Sequence, residues 1–200
     1  MTTIGVLALQ GDFAEHAVSL RRAGAEPREV RLPAHLPGID GLIIPGGEST
    51  TITRLMIAYD LLEPLRSLAR RDFPMWGTCA GAIVLAREAI GLDRPNIGAM
   101  DMVVRRNAFG SQIDSFEVDL PVAGIEGEPI HAVFIRAPVI ESTGAGVETI
   151  AALPDGRVVA ARERNMLATS FHPELTGDDR FHRLFLELVR AARPAEAGQA

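Results

Sequence analysis

Three short stretches of this sequence carry residue types that could do nucleophilic chemistry. Gly77-Thr78-Cys79-Ala80-Gly81 has the form G-x-C-x-G, between an apolar run that reads as a strand and one that reads as a helix. This is the nucleophile-elbow pattern with sulfur in place of the usual hydroxyl. Glycines two residues before and after the cysteine let the chain turn sharply without Cβ clashes, leaving the nucleophile exposed over the end of a sheet. A helix N-terminus behind the sulfur favours thiolate over thiol. Taken alone, the same residue fits a small buried hydrophobe equally well.

A thiol nucleophile needs a base, and five histidines are available. His16 and His182 fall in predicted helices, His35 in a proline-rich loop and His131 at the start of a strand. His172 differs, because it follows a strand predicted over 167–171 and opens His172-Pro173-Glu174. Proline holds the preceding residue extended, and side chains two apart in an extended chain share a face. Glu174 can therefore orient the imidazole as the third member of a triad does. The alternative is a strand-end histidine beside a solvated glutamate.

The third stretch, Pro45-Gly46-Gly47-Glu48-Ser49, again follows a strand and opens a helix. In elbow enzymes one oxyanion-binding N–H comes from the residue after the nucleophile and another from a separate strand-end loop. Here those are Ala80 and Gly47. A plain turn with Ser49 as helix N-cap is the competing account. All three stretches follow strands, so in a parallel sheet they converge at the carboxyl edge, where open α/β folds bind ligands.

The elements that must position them follow from periodicity. Buried strands are expected at 4–9, 42–44 and 75–78, with a helix capped by Asp12 carrying Phe13, Ala17 and Leu20 inward, and an apolar helix over 82–89. Alternating stretches at 100–105 and 115–120 read as half-exposed antiparallel strands, and further strands are expected at 131–136, 158–162 and 167–171. Phe181, Leu184, Phe185, Leu188 and Val189 mark a final amphipathic helix, capped by Asp178 or Asp179 and stopped by Pro194. The expectation is a three-layer α/β/α sandwich with a mostly parallel central sheet and some antiparallel strands in the middle. It spans 1–193 as a single domain, with a disordered tail at 194–200.

Composition narrows the chemistry. Among 200 residues, 20 basic side chains face 26 acidic ones for a net charge of -6, the wrong sign for holding nucleic acid by its phosphates. All the basic residues are arginine, so no side chain can form a Schiff base or serve as a P-loop lysine. A single cysteine rules out an internal disulfide and a cysteine-cluster zinc site. No apolar run approaches the roughly 20 residues that cross a bilayer, and no signal-peptide pattern precedes the first strand. The expected setting is cytoplasmic, without membrane or nucleic-acid partners.

Together, 45–51, 77–81 and Ser170-Phe171-His172-Pro173-Glu174 resemble a class I (triad) glutamine amidotransferase. More narrowly, the chain resembles the glutaminase subunits of pyridoxal 5'-phosphate synthase. That match is carried by Gly5-Val6-Leu7-Ala8-Leu9-Gln10-Gly11, Arg105-Arg106-Asn107-Ala108-Phe109-Gly110, Asp114-Ser115-Phe116-Glu117 and Phe134-Ile135-Arg136-Ala137-Pro138. The resemblance implies a glutamine-hydrolysing fold whose ammonia goes to a separate synthase chain, with no cofactor or metal. It casts Cys79 as nucleophile, His172 as general acid/base and Glu174 as its orienter. L-glutamine would be held by Gly47, Glu48, Ser49, Arg106, Ile135 and Arg136, and Gln10 and Gly11 would lie at the synthase contact. Trp76 and Ala108 depart from the Phe and Ser expected in many relatives. Rival readings are another thiol hydrolase of α/β architecture and a non-enzymatic subunit that kept the fold, though the latter calls for a broken triad.

Overall fold

The computed structural model describes residues 1–108 and 115–193. The first half of the chain runs β1 (Thr3–Leu7), α1 (Phe13–Arg22), β2 (Glu26–Val30), β3 (Gly41–Ile44), α2 (Ser49–Ala58), α3 (Leu62–Ala69), β4 (Met75–Thr78) and α4 (Ala80–Leu85). The second half adds β5 (Ala86–Ile90), β6 (Met100–Arg105), β7 (Ser115–Leu120), β8 (Ile130–Ile135), β9 (Val139–Thr143), β10 (Glu148–Ala152), β11 (Val158–Glu163), β12 (Met166–Thr169) and α5 (Arg180–Ala192). The main sheet has the order β2-β1-β3-β4-β12-β11-β9-β6-β5, with β10 paired to β11, and β7 and β8 form a separate antiparallel pair.

From β2 to β12 every pairing is parallel, and beyond β12 the ladder turns antiparallel until β5 joins β6 in parallel. Strands β3, β4 and β12 are buried at every residue because helices cover both faces. Leu42, Ile44 and Met75 point toward Ile52, Met56 and Leu65 of α2 and α3. Ile43, Trp76 and Leu167 point the other way, toward Leu20 of α1 and Phe181, Phe185 and Val189 of α5. This alternation makes the three expected layers, with a mostly parallel core flanked by antiparallel strands.

Several boundaries differ from the sequence expectations. The helix expected over 82–89 ends at Leu85, and 86–90 is strand β5. The returning segment satisfies the carbonyls at the end of α4: Asn96 Nδ2 donates to Ala86 O at 2.7 Å, Ile97 N to Val84 O at 3.0 Å and Ala99 N to Leu85 O at 2.8 Å. Asp12 occupies the N-cap position of α1 without a side-chain capping bond, as does Asp179 for α5. Both carboxylates are engaged elsewhere, Asp12 with His172 and Asp179 with Arg22. Strands β2, β9 and β10 and helix α3 carry no expectation from the sequence reading. Phe109, Gly110, Asp114 and the expected tail at 194–200, including Pro194, lie outside the described residues. Among the described residues no helix is long and apolar enough to cross a membrane.

Candidate active site

The loops that follow β1, β3, β4 and β12 meet at the carboxyl edge of the parallel strands around a cavity of about 280 Å³. That is slightly under the roughly 300–1,000 Å³ typical of drug-sized ligands, and suits a free amino acid better than a nucleotide. Cys79, Gly47, Glu48, Arg106, Arg136 and His172 are among the residues lining it.

Cys79 sits at the elbow between β4 and α4 with φ 47° and ψ −104°. Its neighbours explain why the turn must be glycine-flanked. A Cβ on Gly77 would drive into the backbone of Gly81, and one on Gly81 into the carbonyl of Ile44. Asn107 and Arg136, also on the cavity wall, have φ 50° and 43°. Non-glycine residues at such angles cost about 1–3 kcal/mol each, and their gathering at one cavity is the pattern of a functional site. Cys79 N donates to Thr169 O at 2.7 Å, tying the elbow to β12, and its Sγ lies 3.9 Å from Ile135 O. Ala80 is the first residue of α4, so its N–H has no acceptor within that helix.

His172 lies three residues beyond β12 and caps a short 3₁₀ turn, Pro173–Leu175. The sequence argument places Glu174 beside it through an extended chain. The 3₁₀ turn achieves the same contact by a different route, with His172 Nδ1 2.8 Å from Glu174 Oε1. Asp12 Oδ2 stands 3.3 Å from the same nitrogen. Gly46 lets the ring approach, because a Cβ there would overlap His172 Cε1. Burial works against charge on His172, but hydrogen bonds with Asp12, Cys79 and Glu174 outweigh it, and the pKa is pushed up to about 12. Burial likewise pushes the Glu174 carboxyl above its usual range, while the His172 hydrogen bond pulls it down. Asp12, His172 and Glu174 could also present ligand atoms to a metal ion, all within 4.8 Å of one another.

Glu48, rather than Ser49, is the N-cap of α2. Its Oε2 accepts from Thr50 N at 3.0 Å, Thr51 N at 3.2 Å and the Thr50 hydroxyl, and its Oε1 takes a 2.7 Å bond from Arg106 Nη2. Partial burial raises the Glu48 carboxyl, but these contacts, the Thr50 hydroxyl first, outweigh it and hold it below the usual range. Ser49 is buried in the first turn of α2 and its hydroxyl has no partner among the described residues. Gln10 Oε1 accepts from Glu48 N at 2.6 Å, linking the end of β1 to the Pro45-Gly46-Gly47 loop. The nucleophile, the histidine base, the oxyanion-hole residues, the glutamine-holding residues and Gln10 expected from the sequence border the cavity, Glu174 bonds His172, and Gly11 lies in the chain between the cavity residues Gln10 and Asp12.

The sequence reading passes over Asp12 as a simple cap and over His16 and His182 as ordinary helical histidines. All three belong to the site's surroundings: His16 and His182 are fully buried and in contact with each other, and His16 lies against Glu174. The signal was available, since His16 follows Phe13 by three and precedes Leu20 by four, which puts it on the apolar face of α1.

Known proteins resemble this chain in sequence and in fold. The SNO glutamine amidotransferase family matches residues 6–191. Pyridoxal 5'-phosphate synthase subunit PdxT of Roseiflexus castenholzii is 60% identical over 188 residues, covering 93% of this chain and 100% of that protein. The protein of the same description from Frankia alni is 57% identical over 191 residues, 94% of this chain and 96% of its own length. A crystal structure of a glutamine amidotransferase superposes with a TM-score of 0.88 at 50% identity, covering 94% of this chain and 98% of that one. PurLQS from Thermotoga maritima, at 18% identity and a TM-score of 0.69 over 96% of this chain and 99% of its own, shares the fold alone. On both the family match and the full-length identity, the chain belongs to the SNO glutamine amidotransferase family.

Proposed function

We propose that this chain hydrolyses L-glutamine to L-glutamate and ammonia through Cys79, His172 and Glu174, and delivers the ammonia to a synthase chain that builds pyridoxal 5'-phosphate. The observation that carries this reading is that Cys79 and His172 line one amino-acid-sized cavity, with Glu174 Oε1 2.8 Å from His172 Nδ1. The description of its relatives as pyridoxal 5'-phosphate synthase subunits supports the choice of partner. Residues 1–193 act as one domain, in the cytoplasm.

The chemistry follows from the geometry. The Cys79 thiolate attacks the side-chain carboxamide carbon, forming the C–S bond, and the N–H groups of Gly47 and Ala80 receive the oxyanion. Collapse of the tetrahedral intermediate breaks the C–N bond, and His172 gives its proton to the departing nitrogen, which leaves as ammonia. Attack consumes the thiolate charge, which removes the sulfur's share in holding the proton on His172. The imidazolium thus turns more acidic when a proton is needed. Now neutral, His172 takes a proton from water, whose hydroxyl cleaves the γ-glutamyl thioester and restores the thiolate. Glutamine itself is held by Gly47, Glu48, Ser49, Arg106, Ile135 and Arg136, with guanidinium groups facing its carboxylate and Glu48 its ammonium.

Gln10 and Gly11 form the contact with the synthase. Gln10 bonds Glu48 N, and Asp12 N bonds Gly46 O at 3.2 Å, so a partner pressing on this loop is felt at the Gly47 N–H. Glutaminase activity is accordingly low until the partner docks. The test is ammonia release from glutamine by the full chain, with and without a pyridoxal 5'-phosphate synthase subunit. Partner-dependent release that disappears in Cys79→Ala is the expected result. Release that persists in Cys79→Ala overturns the triad, and high activity of the isolated chain overturns the activation by docking.

A further inference from the structure

Behind the triad lies a second, deeper polar cluster that the reaction above does not use. Glu174 Oε1 is taken by His172, but Oε2 is buried with no hydrogen-bond partner among the described residues. His16 Nε2, on α1, stands 3.4 Å from that oxygen and 3.1 Å from Thr78 Oγ1. The other ring nitrogen, His16 Nδ1, lies 3.0 Å from His182 Nε2 on α5. Trp76 closes the cluster, its ring edge-on to both imidazoles at 5.6 Å and 4.9 Å between centroids. Both rings are fully buried.

The proton positions follow from counting donors and acceptors. Burial, with His182 and His172 adding to it, holds the His16 pKa well below 6.5, and burial brings His182 to about 4, so each ring carries one N–H. Suppose His16 were protonated at Nδ1. It would donate to His182 Nε2, and His182 would then bear its proton on Nδ1, which has no partner among the described residues. A bare His16 nitrogen would also face the carboxylate lone pairs. The opposite tautomer avoids both costs. His182 Nε2–H donates to His16 Nδ1, the partnerless His182 Nδ1 is a bare acceptor, and His16 Nε2–H points at Thr78 and Glu174.

We propose that His16, seated by His182, is a positioning residue for the triad: its Nε2–H, bonded to Thr78 Oγ1 and 3.4 Å from Glu174 Oε2, attracts that oxygen and limits rotation of the carboxylate that orients His172. This rests on the triad reading of the previous subsection. A buried carboxylate bonded through one oxygen alone is free to rotate, and the imidazole it holds would move with it.

Two measurements on the full chain test this. Ring-nitrogen NMR of histidine-labelled wild-type protein at neutral pH reads the tautomer of His16 directly, without reference to activity. The Nε2–H form is expected, and an Nδ1–H or doubly protonated ring overturns the proposal. In the glutaminase assay with the synthase partner, His16→Leu is expected to lower kcat roughly 3- to 10-fold, the worth of an ordinary polar contact, with KM nearly unchanged. His16→Gln, whose amide places a donor close to the lost Nε2–H, is expected to recover most of that loss. Wild-type kcat in His16→Leu, or His16→Gln no better than His16→Leu, overturns it. An inactive wild-type complex would instead sink the glutaminase reading, and the tautomer measurement tells the two failures apart.

Discussion

Two sets of buried histidines, a few ångströms apart, are driven to opposite charge states. His172 is 4% exposed and His16 and His182 are 0% exposed, so burial opposes the charged form in all three. The difference lies in what each ring touches. Around His172 stand Asp12, Glu174 and the Cys79 sulfur, and together they lift its pKa to about 12. His182 faces a neutral imidazole, and the charge of Arg22 offsets that of Asp179, so burial prevails and the pKa falls to about 4. His16 also lies against Glu174, but the neighbouring rings reinforce burial and the pKa falls well below 6.5. One residue type is thus held protonated in one place and neutral in the other.

Breaking the charged set should have the largest effect. In the proposed reaction Cys79→Ala removes the bond-making group and His172→Asn the proton-moving one, and each is expected to abolish nearly all ammonia release in the synthase complex. Glu174→Gln keeps the shape and a hydrogen-bonding oxygen, but it removes the charge and is expected to cost about 10²- to 10⁴-fold in kcat. Steady-state ammonia release checks all three, and a Glu174→Gln enzyme within a factor of a few of wild type would mean the carboxylate does not orient His172.

Asp12→Asn is a milder cut, because Glu174 remains. The aspartate is the foremost contact raising the pKa of His172, so that pKa should fall toward its ordinary value of 6.5. The Asp12 side chain is 35% exposed, and a screened charge of this kind is worth at most about 1 kcal/mol. Turnover near neutral pH should therefore change by about fivefold or less, while the alkaline limb of the pH profile moves to lower pH. An unmoved limb would show that Asp12 does not contribute to holding the proton.

How much of this was legible beforehand depends on which half of the sheet a residue occupies. Strands β3 and β4 announce themselves as short apolar runs broken by Pro45-Gly46 and by Gly77, because both their faces are covered. The chemistry-bearing turns follow from those strands, and so does the cavity. Strand β2, with the sequence EPREV, lies at the sheet edge and buries only its last residue, leaving no apolar pattern to read. The end of α4 is set by residues 96–99, ten or more positions downstream, which no local propensity reports. The contact of Glu174 with His172 is readable from Pro173, although the 3₁₀ turn that makes it is not. The burial of His16 was readable from helical period alone, but its contact with His182 appears only when α1 and α5 are packed together.

The two histidine sets also predict opposite pH dependences of stability. For His172 the folded pKa lies above the unfolded 6.5, so its contribution is fully present below pH 6.5 and declines as pH rises toward 12. For His182 the folded pKa lies below 6.5, so its contribution is present above pH 6.5 and is lost as pH falls toward 4. His16 acts in the same direction as His182. Denaturant titrations of the full chain across pH 4.5 to 9 should show stability falling away on both sides of about 6.5. His172→Gln should flatten the alkaline side and leave the acid side intact. Matching slopes in wild type and variant on the alkaline side would remove His172 as the source.

The smallest expected effect concerns the wall between the sets. Trp76 is fully buried, stacks on Phe181 at 6.1 Å and donates from Nε1 to Thr169 Oγ1 at 3.3 Å. Trp76→Phe, the residue expected in many relatives, loses that hydrogen bond and part of the ring, a cost of about 1–2 kcal/mol in unfolding free energy. It leaves His182 on the buried face of α5 and next to His16, so the desolvation that lowers the His182 pKa persists. The variant should therefore unfold at lower denaturant while its His182 stays neutral down to nearly the same pH, as followed by NMR. If His182 instead titrates close to 6.5 in Trp76→Phe, the indole and not burial as a whole keeps water from the pair. The contrast between the two histidine environments would then rest on a single aromatic ring.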